Sequence, residues 1–200
     1  MNIFWFRRDL RIEDNVGLFH ALNSAEEVLP IFIFDEHILS QLPKEDARVS
    51  FIHAQLEKIQ AELNTVGKSL AVFHGKPIEV FEKLITENKI SAVYTNHDYE
   101  PYARNRDKEL NQLFVSKEIS FLTSKDQVIF EKSEVVKDDG TPYVVFTPYS
   151  KKWKENFKKI KLIHYPSEEK LDKIAQHSYP FLSLTDIGFK SSSIKVTPFD

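Results

Sequence analysis

Two hundred residues suffice for one α/β domain, or for one domain with a tail, and such a chain buries about 70% of its unfolded surface without needing a staple. With 42% hydrophobic and 28% charged residues it is neither a disordered chain, a collagen nor a coiled coil. Its 27 Lys+Arg against 30 Asp+Glu give a net charge of -3, a poor basis for gripping DNA by phosphate neutralisation, and the absence of cysteine removes disulfides, thiolate metal sites and cysteine nucleophiles.

Asn2 to Phe6 reads as a first strand and Val16 to Asn23 as a short helix. Val28 to Phe34 is apolar on both faces, as a buried parallel strand requires. Val49, Ile52, Leu56, Ile59 and Leu63 recur at helical spacing behind Asp46, a plausible N-cap, and Gly67 ends that helix. Ser69 to His74 is a strand. Pro77 suits the first turn of a helix whose stripe is Ile78, Phe81 and Ile85. Ile90 to Asn96 is a strand, Tyr102 to Val115 a helix and Ile119 to Thr123 a fifth strand. Alternating strands and helices predict an α/β fold, a doubly wound, Rossmann-like parallel sheet of order 3-2-1-4-5 with helices on both faces. Ligands in such folds bind beyond the carboxyl ends of the strands, at the switch point, here between strands one and four.

This α/β domain spans residues 1–130. Asp139-Gly140 is a turn signal between Val135-Val136 and Tyr143 to Phe146, so residues 131–160 read as a hairpin and a helix (Pro148 to Ile160) closing the domain. Residues 161–200, rich in Pro, Ser and Lys and without a period, read as a linker. No stretch approaches the ~18 apolar residues of a membrane span. The apolar run Ile3 to Phe6 precedes Arg7-Arg8, the wrong order for a signal peptide, so the expectation is a cytoplasmic chain with no membrane partner. Gly17, Gly67, Gly75, Gly140 and Gly188 are too scattered to form a Gly-rich phosphate loop.

Four clusters could carry chemistry. Arg7, Arg8 and Arg11 with Asp9 and Asp14 follow the first strand, either as an ion-pair brace or as a ligand contact at the rim. Residues 94 to 107 follow the fourth. There Ala103, Arg106, Leu110 and Leu113 share one helical face, so Arg106 points inward and needs partners, with Asp98 and Glu100 at hand. The alternatives are a buried ion network and a polar pocket for a flat heterocycle. Asp35 and Arg48 belong to the same rim, although Arg48 alone reads as a surface or capping charge. The lysines between Lys151 and Lys161 interleave with Trp153 and Phe157, either as an amphipathic helix with a solvated face or as a track for a phosphate backbone. The seven histidines show no metal-binding spacing, and no nucleophile-base arrangement stands out, so neither catalytic nor metal-ligating residues are assigned.

Residues 5 to 15, Trp-Phe-Arg-Arg-Asp-Leu-Arg-Ile-Glu-Asp-Asn, closely resemble the opening signature of the DNA photolyase/cryptochrome family. Phe34-Asp35 through Asp46-Ala47-Arg48 matches in order. So do Tyr94 and Asn96 through Tyr99-Glu100-Pro101 to Arg106-Asp107, and Gly140 to Tyr149 with Lys152 and Trp153. The resemblance covers about residues 1 to 160. It implies the N-terminal domain of a deoxyribodipyrimidine photolyase, which binds an antenna chromophore and passes excitation to FAD. In full-length relatives a larger helical domain holds that FAD, the damaged-DNA cleft and the electron-transfer residues. A chain stopping at Asp200 would then be an inactive fragment, a monomer meeting damaged DNA only through the missing domain.

The resemblance also implies the site. Relatives with a deazaflavin or flavin antenna place an arginine at the position of Arg48, acidic residues at those of Asp98 and Glu100, and an arginine at that of Arg106. Phe32, Ile33, Phe34 and Asp35 line the same pocket. Folate-type relatives carry a histidine where this sequence has Leu42 and an Asn-Glu pair where it has Tyr102-Ala103. The ranking is therefore deazaflavin or FMN ahead of methenyltetrahydrofolate. Three other readings stay open: a cryptochrome photoreceptor without repair activity, a stand-alone adenine-nucleotide module of the same strand order, and an interaction scaffold whose pocket stays empty.

Overall fold

A computed structural model describes residues 1–194. Strand β1 (Asn2–Phe6) is buried along its whole length and alternates its side chains between two cores. Phe4 and Phe6 enter one core, with Leu18 and Leu22 of α1 (Val16–Leu22) and Leu56, Ile59 and Leu63 of α3 (Ala47–Asn64). Ile3 and Trp5 enter the other, with Phe81 and Leu84 of α4 (Pro77–Glu87) and Leu110 and Phe114 of α5 (Pro101–Ser116). A strand covered on both faces needs apolar residues at every position, and this chain supplies them in β1 and in β2 (Val28–Asp35).

With β3 (Ala71–Gly75), β4 (Ala92–Asn96) and β5 (Ser120–Ser124), these strands form one sheet in the order β3-β2-β1-β4-β5, every pairing parallel. Both strand order and class agree with the sequence expectation. Asp46 caps α3 as predicted, its carboxylate accepting from the Arg48 amide at 2.8 Å. A single-turn helix, α2 (Glu36–Leu39), follows β2 directly, capped by Asp35, and is too short to leave a period in the sequence.

Two expectations need correction. The hairpin within residues 131–160 is not formed. Lys137 donates to the Thr141 carbonyl at 2.9 Å across the Asp139-Gly140 turn, but no strand pairing flanks it. The turn signal was real, and the flanking valines find no sheet to join. The helix that follows, α6 (Phe146–Phe157), buries none of its residues.

The segment read as a linker instead runs back over the domain. Ile174 forms a parallel bridge to Val28, and Ala175 donates to the Val28 carbonyl at 2.8 Å. The Pro180 carbonyl accepts from Val72, while Ile187 and Phe189 are buried against the α3 side of the sheet. Apart from a short 3-10 helix at Ser167–Lys173, single apolar side chains at irregular spacing cover the core, so they left no period to read. Residues 195–200, the end of the expected linker, lie outside the described residues.

Candidate functional site

The carboxyl ends of β1, β2 and β4 open on one rim, and their first residues past the sheet build it. Asp9 is buried and accepts from the Arg7 amide at 3.0 Å, from Asn15 Nδ2 at 3.1 Å and from Asn96 Nδ2 at 2.5 Å. Asn96 also donates to Asn15 Oδ1 at 2.8 Å and accepts from the Gly17 amide at 2.9 Å. This network locks the β1 exit to the start of α1 and the end of β4. It works only because residue 17 is glycine: a Cβ there would sit 2.6 Å from Asn96 Oδ1 and 2.9 Å from Phe4 Cε2.

Arg7 turns inward. Its Nε donates to Thr95 Oγ1 at 2.7 Å and its Nη1 to both Asp107 oxygens, at 3.0 and 2.8 Å. Burial pushes its pKa down, against the opposing pull of Asp107. Two guanidinium groups lie over the Trp5 ring, Arg7 at 4.5 Å and Arg106 at 4.7 Å from its centroid. The brace reading of the first cluster therefore describes Arg7 and Arg11, but with partners far along the chain: Asp107 for the one, and Asp126 at 2.9 Å for the other.

Two adjoining cavities occupy the rim, sharing Arg8, Ile38, Asp98 and Arg106. The inner one, about 160 Å³, is walled by Phe32, Ile33, Phe34, Leu39 and Ile52, with Arg7 and Asp35. The outer one, about 530 Å³, is bounded by His37, Leu42, Arg48, Glu100, Tyr102 and Ala103. All eight residues singled out from the sequence thus face one continuous opening: Phe32, Ile33, Phe34 and Asp35 the inner part, Arg48 and Glu100 the outer, Asp98 and Arg106 both.

Their pairings differ from those expected. Arg106 does point inward, but its guanidinium reaches Asp107 at 3.2 Å. Asp98 and Glu100 lie instead beside Arg8, at 3.9 and 3.6 Å. Arg48 projects from the outer rim, 71% exposed, and is held by Asp46 through two hydrogen bonds of 3.0 and 2.7 Å. That pairing lowers the Asp46 pKa to about 2.

Sequence reasoning missed Tyr102 as a wall. Its ring stacks on His37 with centroids 4.7 Å apart and an interplanar angle of 13°. Its hydroxyl donates to Asp35 Oδ2 at 2.6 Å. Burial first, then that hydrogen bond to a carboxylate, raises the Tyr102 pKa, so the phenol stays protonated. Asp35 accepts also from the His37 amide at 3.0 Å, so both its oxygens hold the wall. The signal was present in the i, i+4 spacing within α5, which puts Tyr102 one turn before Arg106 on the same face.

The DNA photolyase family profile matches residues 2–170, most of the chain. This chain belongs to the DNA photolyase family. It is 31% identical over 151 residues to the deoxyribodipyrimidine photo-lyase of a Synechococcus strain, an alignment covering 76% of this chain and 31% of that one. Its fold matches a class III photolyase from Agrobacterium tumefaciens with a TM-score of 0.77 at 24% identity, over 96% of this chain and 38% of that one. It also matches an archaeal photolyase from Sulfolobus tokodaii, described with two FAD molecules and as implying a novel light-harvesting cofactor, with a TM-score of 0.65 at 27% identity over 90% of this chain and 43% of that one. The photolyase-family domain thus spans about a third of the length of the curated photo-lyases it matches. No helix among its described residues is long and apolar enough to cross a membrane.

Proposed function

We propose that this chain is the light-harvesting domain of a light-driven cyclobutane pyrimidine dimer photolyase. It holds a flat antenna chromophore at the rim, while FAD and damaged DNA are bound by a second, helical domain. The observation that carries this reading is the opening itself: aromatic and aliphatic walls from β2 and α2 facing arginine and carboxylate groups from β1, β4 and α5, at the switch point of the sheet. Together the inner and outer cavities fall in the size range of small-molecule sites. The Sulfolobus tokodaii relative, with its second FAD, favours a flavin-type ring.

When bound, the chromophore absorbs a photon and passes the excitation on. The chain's own residues orient it and keep water away. Phe32, Phe34 and Ile38 offer apolar surface to a ring. Asp98 and Glu100 accept from ring N–H groups, and Arg8 and Arg48 meet a phosphate or carboxylate tail at the outer rim. Leu42 and Tyr102-Ala103 stand in the outer cavity, and Tyr102 is fixed by Asp35 and His37, so deazaflavin or FMN is placed ahead of methenyltetrahydrofolate. The same reading makes the protein a cytoplasmic monomer and the 200-residue chain inactive in repair by itself.

The test is an absorbance spectrum of the purified 200-residue protein, before and after incubation with FMN, a deazaflavin and methenyltetrahydrofolate, followed by desalting. The expected result is a retained visible band matching a flavin-type ring. Retention of none of the three by this chain, and by a version extended through a helical domain, overturns the antenna reading. Glu100→Gln is expected to weaken a retained flavin ring severalfold, and unchanged retention removes Glu100 from the site.

A further inference from the structure

A third cavity, about 690 Å³ in volume, borders another flank of α5 beside the end of β5 and shares only Asp98 with the opening described above. Its wall carries three side chains in a relay that the antenna reading does not use. His97 follows β4 directly, and its backbone is pinned on both sides. Its amide donates to the Ser124 carbonyl at 2.8 Å, and its carbonyl accepts from Gln127 Nε2 at 2.7 Å. Its Nδ1 lies 2.8 Å from Glu131 Oε2 and its Nε2 3.0 Å from Thr123 Oγ1. Glu131 also accepts from the Tyr99 hydroxyl at 2.6 Å. Burial alone would raise the Glu131 pKa, but the hydrogen bonds from Tyr99 and His97 carry it below its ordinary value, so Glu131 is a carboxylate. A carboxylate only accepts. The proton of a neutral His97 therefore sits on Nδ1, and Nε2 is left to accept from the Thr123 hydroxyl. Thr123 lines the cavity, and its hydroxyl makes no other hydrogen bond among the described residues. His97 stands 26 residues from Thr123 and 34 from Glu131, so no local motif announces the relay.

We propose that this cavity is a hydrolytic site for a small carboxylic ester that carries a second, anionic group, with Thr123 Oγ1 as nucleophile, His97 as general base and Glu131 as the positioning residue behind it. A nucleophile within reach of a base that a third group orients is the arrangement acyl transfer needs. Thr123 Oγ1 attacks the ester carbonyl carbon and gives its proton to His97 Nε2. The carbonyl electron pair moves to the oxygen and returns as the bond to the alcohol breaks, and the departing alkoxide takes the proton from Nε2. Water then attacks the acylated Thr123 with Nε2 as base, the acid leaves, and Thr123 Oγ1 regains its proton. The cations set the charge of the substrate. Arg104 and Lys108 stand one turn apart on α5 and line the cavity with Lys132, and neither Arg104 nor Lys108 has an ion-pair partner among the described residues. The carboxylates nearby are engaged elsewhere, Asp107 by Arg7 and Arg106 and Asp98 by Arg8. In a chain of net charge -3 this is a local excess of positive charge beside an uncharged nucleophile. The cavity has the volume of a small-molecule site.

The test uses the 200-residue protein with mono-4-nitrophenyl succinate, whose free carboxylate supplies the anion, and with the neutral 4-nitrophenyl acetate. Saturable release of 4-nitrophenolate is expected, with kcat/KM about tenfold higher for the succinate once the intrinsic reactivities of the two esters are divided out. Protein quenched in acid is expected to carry a succinyl ester on Thr123, located by peptide mass mapping and removed by hydroxylamine, which leaves an amide on a lysine intact. Thr123→Val keeps the shape of the side chain and removes the hydroxyl. Checked for folding by circular dichroism, it is expected to lose both the label and the saturable release. Glu131→Gln is expected to lower kcat about a hundredfold with KM unchanged, because the imidazole loses its orientation and not the substrate its cations. Release no faster than in buffer, a label confined to lysines, or release unchanged in folded Thr123→Val overturns the inference. A change in KM alone in Glu131→Gln overturns the positioning role of that residue. None of these outcomes bears on retention of a chromophore at the other opening.

Discussion

The rim around Arg7 and the segment around α6 both match the family's sequence signature, yet their side chains live in opposite surroundings. At the rim, Asp9, Asn15, Thr95 and Asn96 are buried and hydrogen-bonded to one another or to backbone. In the other segment Val144 is 88% and Phe146 77% exposed, and the ring contacts of α6 are Trp153 stacked on Phe157 and edge-on to Phe130, with Tyr149 against Tyr143. The difference teaches that a motif marks different things in different places. At the rim it specifies an internal polar network. Around α6 it marks an exposed surface that buries none of its helix residues.

Breaking the rim should have the largest effect. Asp107→Ala removes the carboxylate that answers Arg7 and leaves a buried charge unpaired. The expected loss is about 3–5 kcal/mol of folding stability, read by urea denaturation. A loss below about 1 kcal/mol would mean that Arg7 leaves its site or is hydrated there, and the contrast between the two regions would weaken. Gly17→Ala comes next. Its methyl group would press into Asn96 and Phe4, and the expected cost is about 1–3 kcal/mol. A neutral effect would show that the Asn96 network can shift without being lost.

Much of the fold was legible in the sequence because it rests on local patterns. The continuous apolar runs of β1 and β2, the helical spacing from Val49 to Leu63 and the Asp46 cap each require a particular element. The site was legible in position and only partly in chemistry. The fold places Asp35, Asp98 and Arg106 on one rim, but which carboxylate meets which arginine depends on side-chain directions that spacing leaves open. Arg106 meets Asp107, its own neighbour, because Asp98 lies on the Arg8 side of the loop. The return of residues 165–190 over the core was illegible, since Ile174, Ile187 and Phe189 bury singly, from a bridge, a turn and the residue just after it. Gly188, at φ 76°, lets the chain turn between the last two of these.

A smaller effect, dependent on pH, sharpens the outer rim. The Arg48 side-chain hydrogen bond holds the Asp46 carboxyl at about 2, below its ordinary 3.8. A depressed carboxyl pKa contributes stability that is complete above the unfolded value and is lost as pH falls through the folded one. The window is therefore from just above pH 4 down to about pH 2. A carbon-13 titration of the Asp46 carboxyl is expected to show its midpoint near 2, and Arg48→Ala should move it up toward 3.8. If a ligand takes Arg48 for its own tail, the same midpoint should rise in the wild-type protein when the ligand is added. A midpoint indifferent to both changes would free Arg48 from Asp46 and from the rim.

The smallest stability change should come from α6. Phe146→Ser removes an aromatic ring that touches little of the domain, so the expected change is within about 0.5 kcal/mol. Hydrogen exchange then tells why. Amides of Phe146–Phe157 should exchange far faster than those of β1 and β2, because local opening there exposes almost no apolar surface that is not exposed already. Protection equal to that of β1 would mean that the face is covered in solution. If that protection grew with protein concentration, the cover would be a second copy of the chain. If it did not, Trp153, Tyr149 and their aromatic neighbours would be holding the helix more firmly than three ring contacts can account for.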